Sequence, residues 1–87
     1  MSDIQIYTTA VCPYCVAAKN LLKSKGLEWQ EIRIDTDPTS LAEMRERSQG
    51  ARTVPQIFIN GTHVGGFDQL AAADRDGSLA EILSSSA

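Results

Sequence analysis

Two short runs, DIQIY (residues 3–7) and EWQEIRI (residues 28–34), alternate apolar and polar residues with the period of strands. Between them, from Pro13 to Lys25, the composition switches to helix formers. Ala18, Leu21 and Leu22 fall on one helical face, and Gly26 is placed to stop the helix. A strand, a helix and a strand joined by short loops make a βαβ unit, whose two strands must run parallel. That unit commits the first third of the chain to a sheet covered by a crossover helix.

The remaining segments extend the pattern. In DTDPTSLAEMRERSQG, Asp37 is a candidate N-cap and Pro38 sits at the first helical position, where a missing N–H costs nothing. Leu41 and Met44 are expected to face inward, the Arg and Glu residues to form a solvated face, and Gly50 to end the helix. QIFINGTHVG places Asn60-Gly61 between two strand-like runs, the preferred two-residue type I′ hairpin turn. GFDQLAAADRDG then reads as a short helix ended by Gly77, SLAEIL as a last short helix, and SSSA as a frayed tail. The expected order is β-α-β-α-β-β-α with a final turn of helix, an α/β mixed sheet with helices on both faces. The unbroken apolar run IFI supports this, since a strand covered on both faces need not alternate. No repeat, linker or low-complexity segment divides residues 1–87, which are expected to form one domain.

Charge and composition narrow the function. A net charge of −3 with both signs interspersed leaves no electrostatic footprint for nucleic acid. The apolar runs are far too short to cross a membrane. No basic stretch followed by an apolar one stands at Met1, so nothing in the sequence directs export.

The only two cysteines, Cys12 and Cys15, flank Pro13 and Tyr14. A disulfide enclosing two residues closes almost the smallest possible loop and would staple little. A close pair in a chain this poor in cysteine points instead to a reducing cytosol and to catalysis or metal. A structural zinc site needs four ligands. With two cysteines and one histidine, His63, the chain cannot complete one alone, although a dimer pooling four thiolates could hold zinc or an iron–sulfur cluster. His63 is expected as an ordinary strand residue opposite Phe58, while Tyr7, Trp29, Phe58 and Met44 read as core or sheet-face residues.

Redox chemistry fits the local geometry better. Pro13 at the first helical position makes Cys12 the N-cap, so the free N–H groups of Tyr14 and Cys15 point back towards its sulfur. A helix terminus contributes up to about 2 kcal/mol to a charge placed there, enough to move the thiol well towards thiolate near neutral pH. A more acidic sulfur attacks less strongly but leaves more readily, which suits a nucleophile that must later depart. Cys15, one turn inside the helix, lacks that arrangement and is expected to be more buried. Cys12 is therefore the candidate nucleophile and Cys15 the resolving thiol.

Together, CPYC after IQIYT, RTVPQIFING (residues 52–61) and VGGFDQL (residues 64–70) resemble the glutaredoxin family over essentially the whole length. The resemblance implies a thioredoxin fold with a four-stranded mixed sheet of order 2-1-3-4. It also implies a glutathione-dependent thiol–disulfide oxidoreductase acting on protein–glutathione mixed disulfides and protein disulfides. Glutathione would be the co-substrate, with no resident metal, in a cytoplasmic monomer whose partners are glutathionylated or disulfide-containing client proteins. By the same resemblance, Thr53, Val54 and Pro55 form the loop with a cis proline, and the Val54 backbone pairs with the cysteinyl unit of glutathione as an added strand would. Gly66, Phe67 and Asp68 hold the γ-glutamyl end, where Phe67 departs from the small or cysteine residues of many relatives, which matters little if only its backbone binds. Arg52 attracts the glycyl carboxylate, and Tyr14 flanks the groove. One departure matters: Thr9 stands where many relatives carry lysine, so Cys12 is expected to rely more on its helix terminus, and glutathione affinity is expected to be lower or to be carried more by Arg52 and Lys19, a residue that reads first as part of a solvated helix face.

Overall fold

The computed structural model describes residues 3–84. Its elements are β1 (Ile4–Thr8), α1 (Pro13–Ser24), β2 (Gln30–Arg33), α2 (Pro38–Arg47), β3 (Gln56–Ile59), β4 (Thr62–Gly65), α3 (Phe67–Asp76) and α4 (Ser78–Ser84). The sheet order is β2-β1-β3-β4, as expected. β1 runs parallel to β2 and antiparallel to β3, and β3 pairs antiparallel with β4. Ser84 closes α4, and the rest of the tail expected to fray lies outside the described residues.

Alternation along the central strands divides the interior into two layers. Ile4 and Ile6 of β1 and Ile57 and Ile59 of β3 pack against Ala18 and Leu22 of α1, Leu70 and Ala73 of α3, and Leu79 of α4. Tyr7 and Phe58, of opposite parity, face Met44 of α2, with Leu41, Ile32, Ile34 and Val54 around them. All four β3 residues are buried, as a strand covered on both faces requires. Trp29 precedes β2 rather than lying within it and packs half-buried against the first layer.

The helix ends are set by local chemistry. Cys12 caps α1 and Asp37 caps α2, its carboxylate accepting from the Thr39 N–H at 3.0 Å, with Pro13 and Pro38 opening the two helices. At the end of α1, the Leu27 and Gly26 N–H groups return to the Leu22 and Lys23 carbonyls, a Schellman closure with Gly26 at φ +71°. α2 closes the same way one residue earlier than Gly50 suggested. Gln49 takes the left-handed position at φ 60°, and the Gly50 N–H reaches the Arg45 carbonyl at 2.7 Å. The closing hydrogen bonds hold a non-glycine residue there at modest cost. Asn60 and Gly61 both have positive φ, matching the type I′ turn, and His63 faces Phe58. The hairpin also contains an irregularity between Ile57 and Phe58 that brings Gly65, not Val64, opposite Ile57.

Candidate active site

The two cysteines lie where β1 hands over to α1, and they are joined as a disulfide with Cα atoms 5.2 Å apart. Cys12 is half-buried and Cys15 is 1% exposed, so partners from solvent reach the first sulfur and not the second. The Cys15 N–H points at Cys12 Sγ at 3.1 Å, the donor that an N-capping sulfur should receive. Cys12 Sγ also lies 3.7 Å from the Val54 carbonyl oxygen, to which a reduced thiol can donate weakly.

Behind the sulfurs, the Val54–Pro55 peptide is cis, as the resemblance implied. A groove of about 330 Å³ opens there, between the Tyr14 ring, the Thr53–Pro55 segment and the start of α3. Gly66, Phe67 and Asp68 form its far wall, so seven of the eight residues assigned to glutathione on the resemblance line one concavity. Arg52, the eighth, is exposed and stands outside that lining. Asp68 lies in the first turn of α3, whose N-cap is Gly66, so it is not the cap itself.

Three side chains with a bearing on this site carried no signal in the sequence. Gln69 also lines the groove, and its Oε1 accepts from the Gly66 N–H at 2.9 Å. This is half of a capping box, because glycine has no side-chain oxygen to return the bond. It also explains the glycines: a Cβ on Gly65, whose φ is +117°, would lie 3.0 Å from Gln69 Cγ. Asp35 anchors the loop ahead of Cys12, accepting from the Ala10 N–H at 3.0 Å while Arg33 grips both its oxygens at 2.8 and 2.7 Å. The Arg33 guanidinium and the Ala10 N–H together hold the Asp35 carboxyl well below the usual carboxylate range. Gln56, buried beneath the loop, donates to the Thr53 carbonyl at 3.1 Å.

Two more side chains are placed by the fold around the site. Phe67 contributes its ring as well as its backbone: the ring packs half-buried on the first core layer, with its centroid 6.2 Å from that of Tyr14. Lys19 is committed elsewhere, its ammonium 3.2 Å from both Glu31 oxygens, while Thr8 Oγ1 donates to the same carboxylate at 2.7 Å. Those bonds, Thr8 first, lower the Glu31 pKa. A hollow of about 810 Å³ runs along this side of α1, past Lys19, Lys23 and Trp29, and none of the residues assigned to glutathione lines it.

Comparison with known proteins decides the family. The family model described as Glutaredoxin matches residues 4–64. This chain belongs to the glutaredoxin family. It is 52% identical over 84 residues to a glutaredoxin of Pseudomonas aeruginosa, covering 97% of this chain and 99% of that one. It is 49% identical over 83 residues to glutaredoxin 3 of Escherichia coli K12, covering 95% and 99%. Among solved structures, the buckwheat glutaredoxin–glutathione complex superposes with a TM-score of 0.84 at 30% identity, over 95% of this chain and 77% of that one. The chain is thus a glutaredoxin of the thioredoxin fold, a glutathione-dependent disulfide reductase whose redox-active pair is Cys12–Cys15. No helix among the described residues is long and apolar enough to cross a membrane.

Proposed function

We propose that Cys12 is the attacking sulfur, Cys15 the resolving one, and the groove beside them the glutathione site of this glutaredoxin. The observation that carries the reading is the inequality of the pair. One sulfur is accessible at a helix N-cap 3.1 Å from a backbone N–H, and the other is shut into the core. The complex formed by the buckwheat protein supports glutathione as the ligand.

In the monothiol route, the Cys12 thiolate attacks the glutathione sulfur of a protein–glutathione mixed disulfide. The S–S bond breaks, the protein leaves as thiolate and takes a proton from solvent, and glutathione stays on Cys12. A second glutathione thiolate attacks that glutathione sulfur, releasing glutathione disulfide and regenerating the Cys12 thiolate. The acidity that populates the attacking thiolate also makes Cys12 a good leaving group in this second step. In the dithiol route, Cys12 attacks a protein disulfide and forms a mixed disulfide with one of its sulfurs. Cys15, losing its proton to solvent, then attacks Cys12 Sγ, which frees the client and forms the Cys12–Cys15 disulfide. Two glutathione molecules reduce that bond in turn and leave as glutathione disulfide.

Within the groove, the Val54 N–H and C=O are assigned to the cysteinyl unit, with Thr53 and Pro55 shaping that edge. The first turn of α3 offers Phe67 and Asp68 N–H groups to the γ-glutamyl carboxylate, with the Asp68 carboxylate for its ammonium. Tyr14 and Phe67 supply the apolar wall, and Arg52, outside the groove, draws in the glycyl carboxylate at longer range. We further assign residues 1–87 to one domain that works as a monomer in a reducing cytosol on glutathionylated or disulfide-bonded clients.

The roles separate in a glutathione-coupled assay. Cys15→Ser should retain most deglutathionylation of a glutathionylated peptide and lose reduction of a protein disulfide. Cys12→Ser should lose both. Turnover by Cys12→Ser would overturn the assignment.

A further inference from the structure

Gln56 opens β3 immediately after Pro55 and is 5% exposed, so its amide must find partners inside the protein. Its Nε2 donates to the Thr53 carbonyl at 3.1 Å and lies 3.4 Å from Thr53 Oγ1. A carbonyl only accepts, which fixes the orientation of the amide and turns its oxygen to the other side. There Gln56 Oε1 meets His63 Nε2 at 2.7 Å. Since the amide oxygen cannot donate, the proton of this bond sits on His63 Nε2. The imidazole is itself held in place, stacked on the Phe58 ring at 4.8 Å between centroids, while the Arg47 guanidinium lies 4.1 Å from the same ring's centroid. A continuous polar chain thus runs from the outer strand β4, through a buried amide, to the backbone of the segment that edges the groove.

We propose that Gln56 and His63 are positioning residues for the glutathione edge of the groove. His63 orients the Gln56 amide, and that amide fixes the Thr53 carbonyl, so that the neighbouring Val54 N–H and C=O stand ready to pair with the ligand. This rests on the reading of the groove as the glutathione site. The neighbouring anchors are few: the Ala51 N–H reaches Ser48 Oγ at 3.2 Å, Cys12 Sγ lies 3.7 Å from the Val54 carbonyl oxygen, and the Val54 side chain packs on the second core layer. None of these holds the Thr53 carbonyl, which the Gln56 amide does. Protonating His63 at Nδ1 leaves Nε2–H donating to Gln56, so the relay operates in both charge states.

The test is steady-state reduction of one peptide carried as a glutathionyl and as a cysteinyl mixed disulfide. One neutral hydrogen bond contributes about 0.5–1.5 kcal/mol, a factor of roughly 2 to 13. Gln56→Met should raise KM for the glutathionyl peptide about tenfold, change kcat less than about twofold, and leave the cysteinyl peptide nearly unaffected. His63→Phe, which keeps a ring against Phe58 but removes the donor, should raise the same KM about threefold. The double variant should be no worse than Gln56→Met, because both substitutions break one chain. Circular dichroism melting confirms that each variant is folded, and should Gln56→Met fail to fold, His63→Phe carries the test alone. A folded variant set with unchanged KM, or effects that multiply, overturns the relay while the glutathione site stands. A wild-type protein that does not distinguish the two peptides overturns the glutathione site and the relay together.

Discussion

The acidity of Cys12 is decided within a few ångströms. Its one close backbone donor is the Cys15 N–H, while Lys19 is paired with Glu31 and Arg33 with Asp35. Thr9 supplies no charge, its hydroxyl turning to the Val11 carbonyl at 3.5 Å. A lysine at this position would add a cation to the loop that leads into Cys12, on which the Asp35 carboxylate also lies. Two opposite charges about 4 Å apart near a protein surface attract by about 4 kcal/mol at an effective dielectric of 20, before side-chain entropy and salt reduce the net. Thr9→Lys should therefore move the thiolate titration of Cys12 to lower pH and lower KM for glutathionylated substrate several-fold. Thiolate absorbance near 240 nm across a pH series checks the first effect, and an unmoved titration would show that the helix terminus already saturates the sulfur. The cysteine pair, the proline loop and the glycine-rich turn were legible because each is a contiguous word with its own local chemistry. Asp35 was not, because it reaches Ala10 across 25 residues, and Gln56 and Gln69 were not, because their bonds to backbone three residues away matter only once the fold sets those groups beside the groove.

At the scale of elements, boundary signals carry much of the architecture. Pro13 and Pro38 each open a helix behind a side-chain cap, Gly26 and Gly77 end helices in the left-handed region, and Asn60-Gly61 turns the hairpin. What escaped was what two neighbouring elements settle between them. Gln49 joins Gly50 at positive φ, and the Schellman bonds close one residue earlier, with Gln49 at the left-handed position. The irregularity beside Phe58 arises from pairing β4 against a strand already fixed by β1. The cap of α2 offers a test of stability apart from function, since no residue of α2 lines the groove. Asp37 accepts from the Thr39 N–H and from Ser40 Oγ, both at 3.0 Å. Asp37→Ala should cost about 1 kcal/mol in urea unfolding and leave kcat/KM within about twofold of the parent. A loss of activity larger than that would mean the α2 layer reaches the site.

The whole molecule has a stability profile set by groups on both sides of the sheet. The His63 ring lies against the protein although the residue is largely exposed, and partial desolvation of the ring, then Arg47, lowers its pKa from 6.5, with Glu43 and Tyr7 adjoining that arginine. As pH falls through the unfolded value the unfolded chain binds the proton first, so this contribution is present above about 6.5 and lost below it. Glu31, Asp35 and Asp76 have lowered pKa values through hydrogen bonds from Thr8, Arg33 and Ser78 respectively. Their contribution is present above about 4.5 and disappears on further acidification. Protonating Asp35 releases Arg33 and the Ala10 N–H, so acid loosens the loop ahead of Cys12 as it weakens the fold. Tyr7 behaves oppositely: burial and its bond to Glu43 raise its pKa above 10.0 against the opposing pull of Arg47. That contribution is full below about 10 and lost above it, because the unfolded chain ionises first. The unfolding free energy of the oxidised protein, whose paired sulfurs do not titrate, should be flat from about pH 7 to 9.5 and fall on either side. The descent on the acid side should come in two stages. His63→Phe should remove the stage that begins below about pH 6.5 and leave the one below about pH 4.5, while Tyr7→Phe should flatten only the alkaline limb. Guanidinium unfolding at each pH measures all three curves, and an acid limb that His63→Phe does not alter would place the loss wholly on the carboxylates.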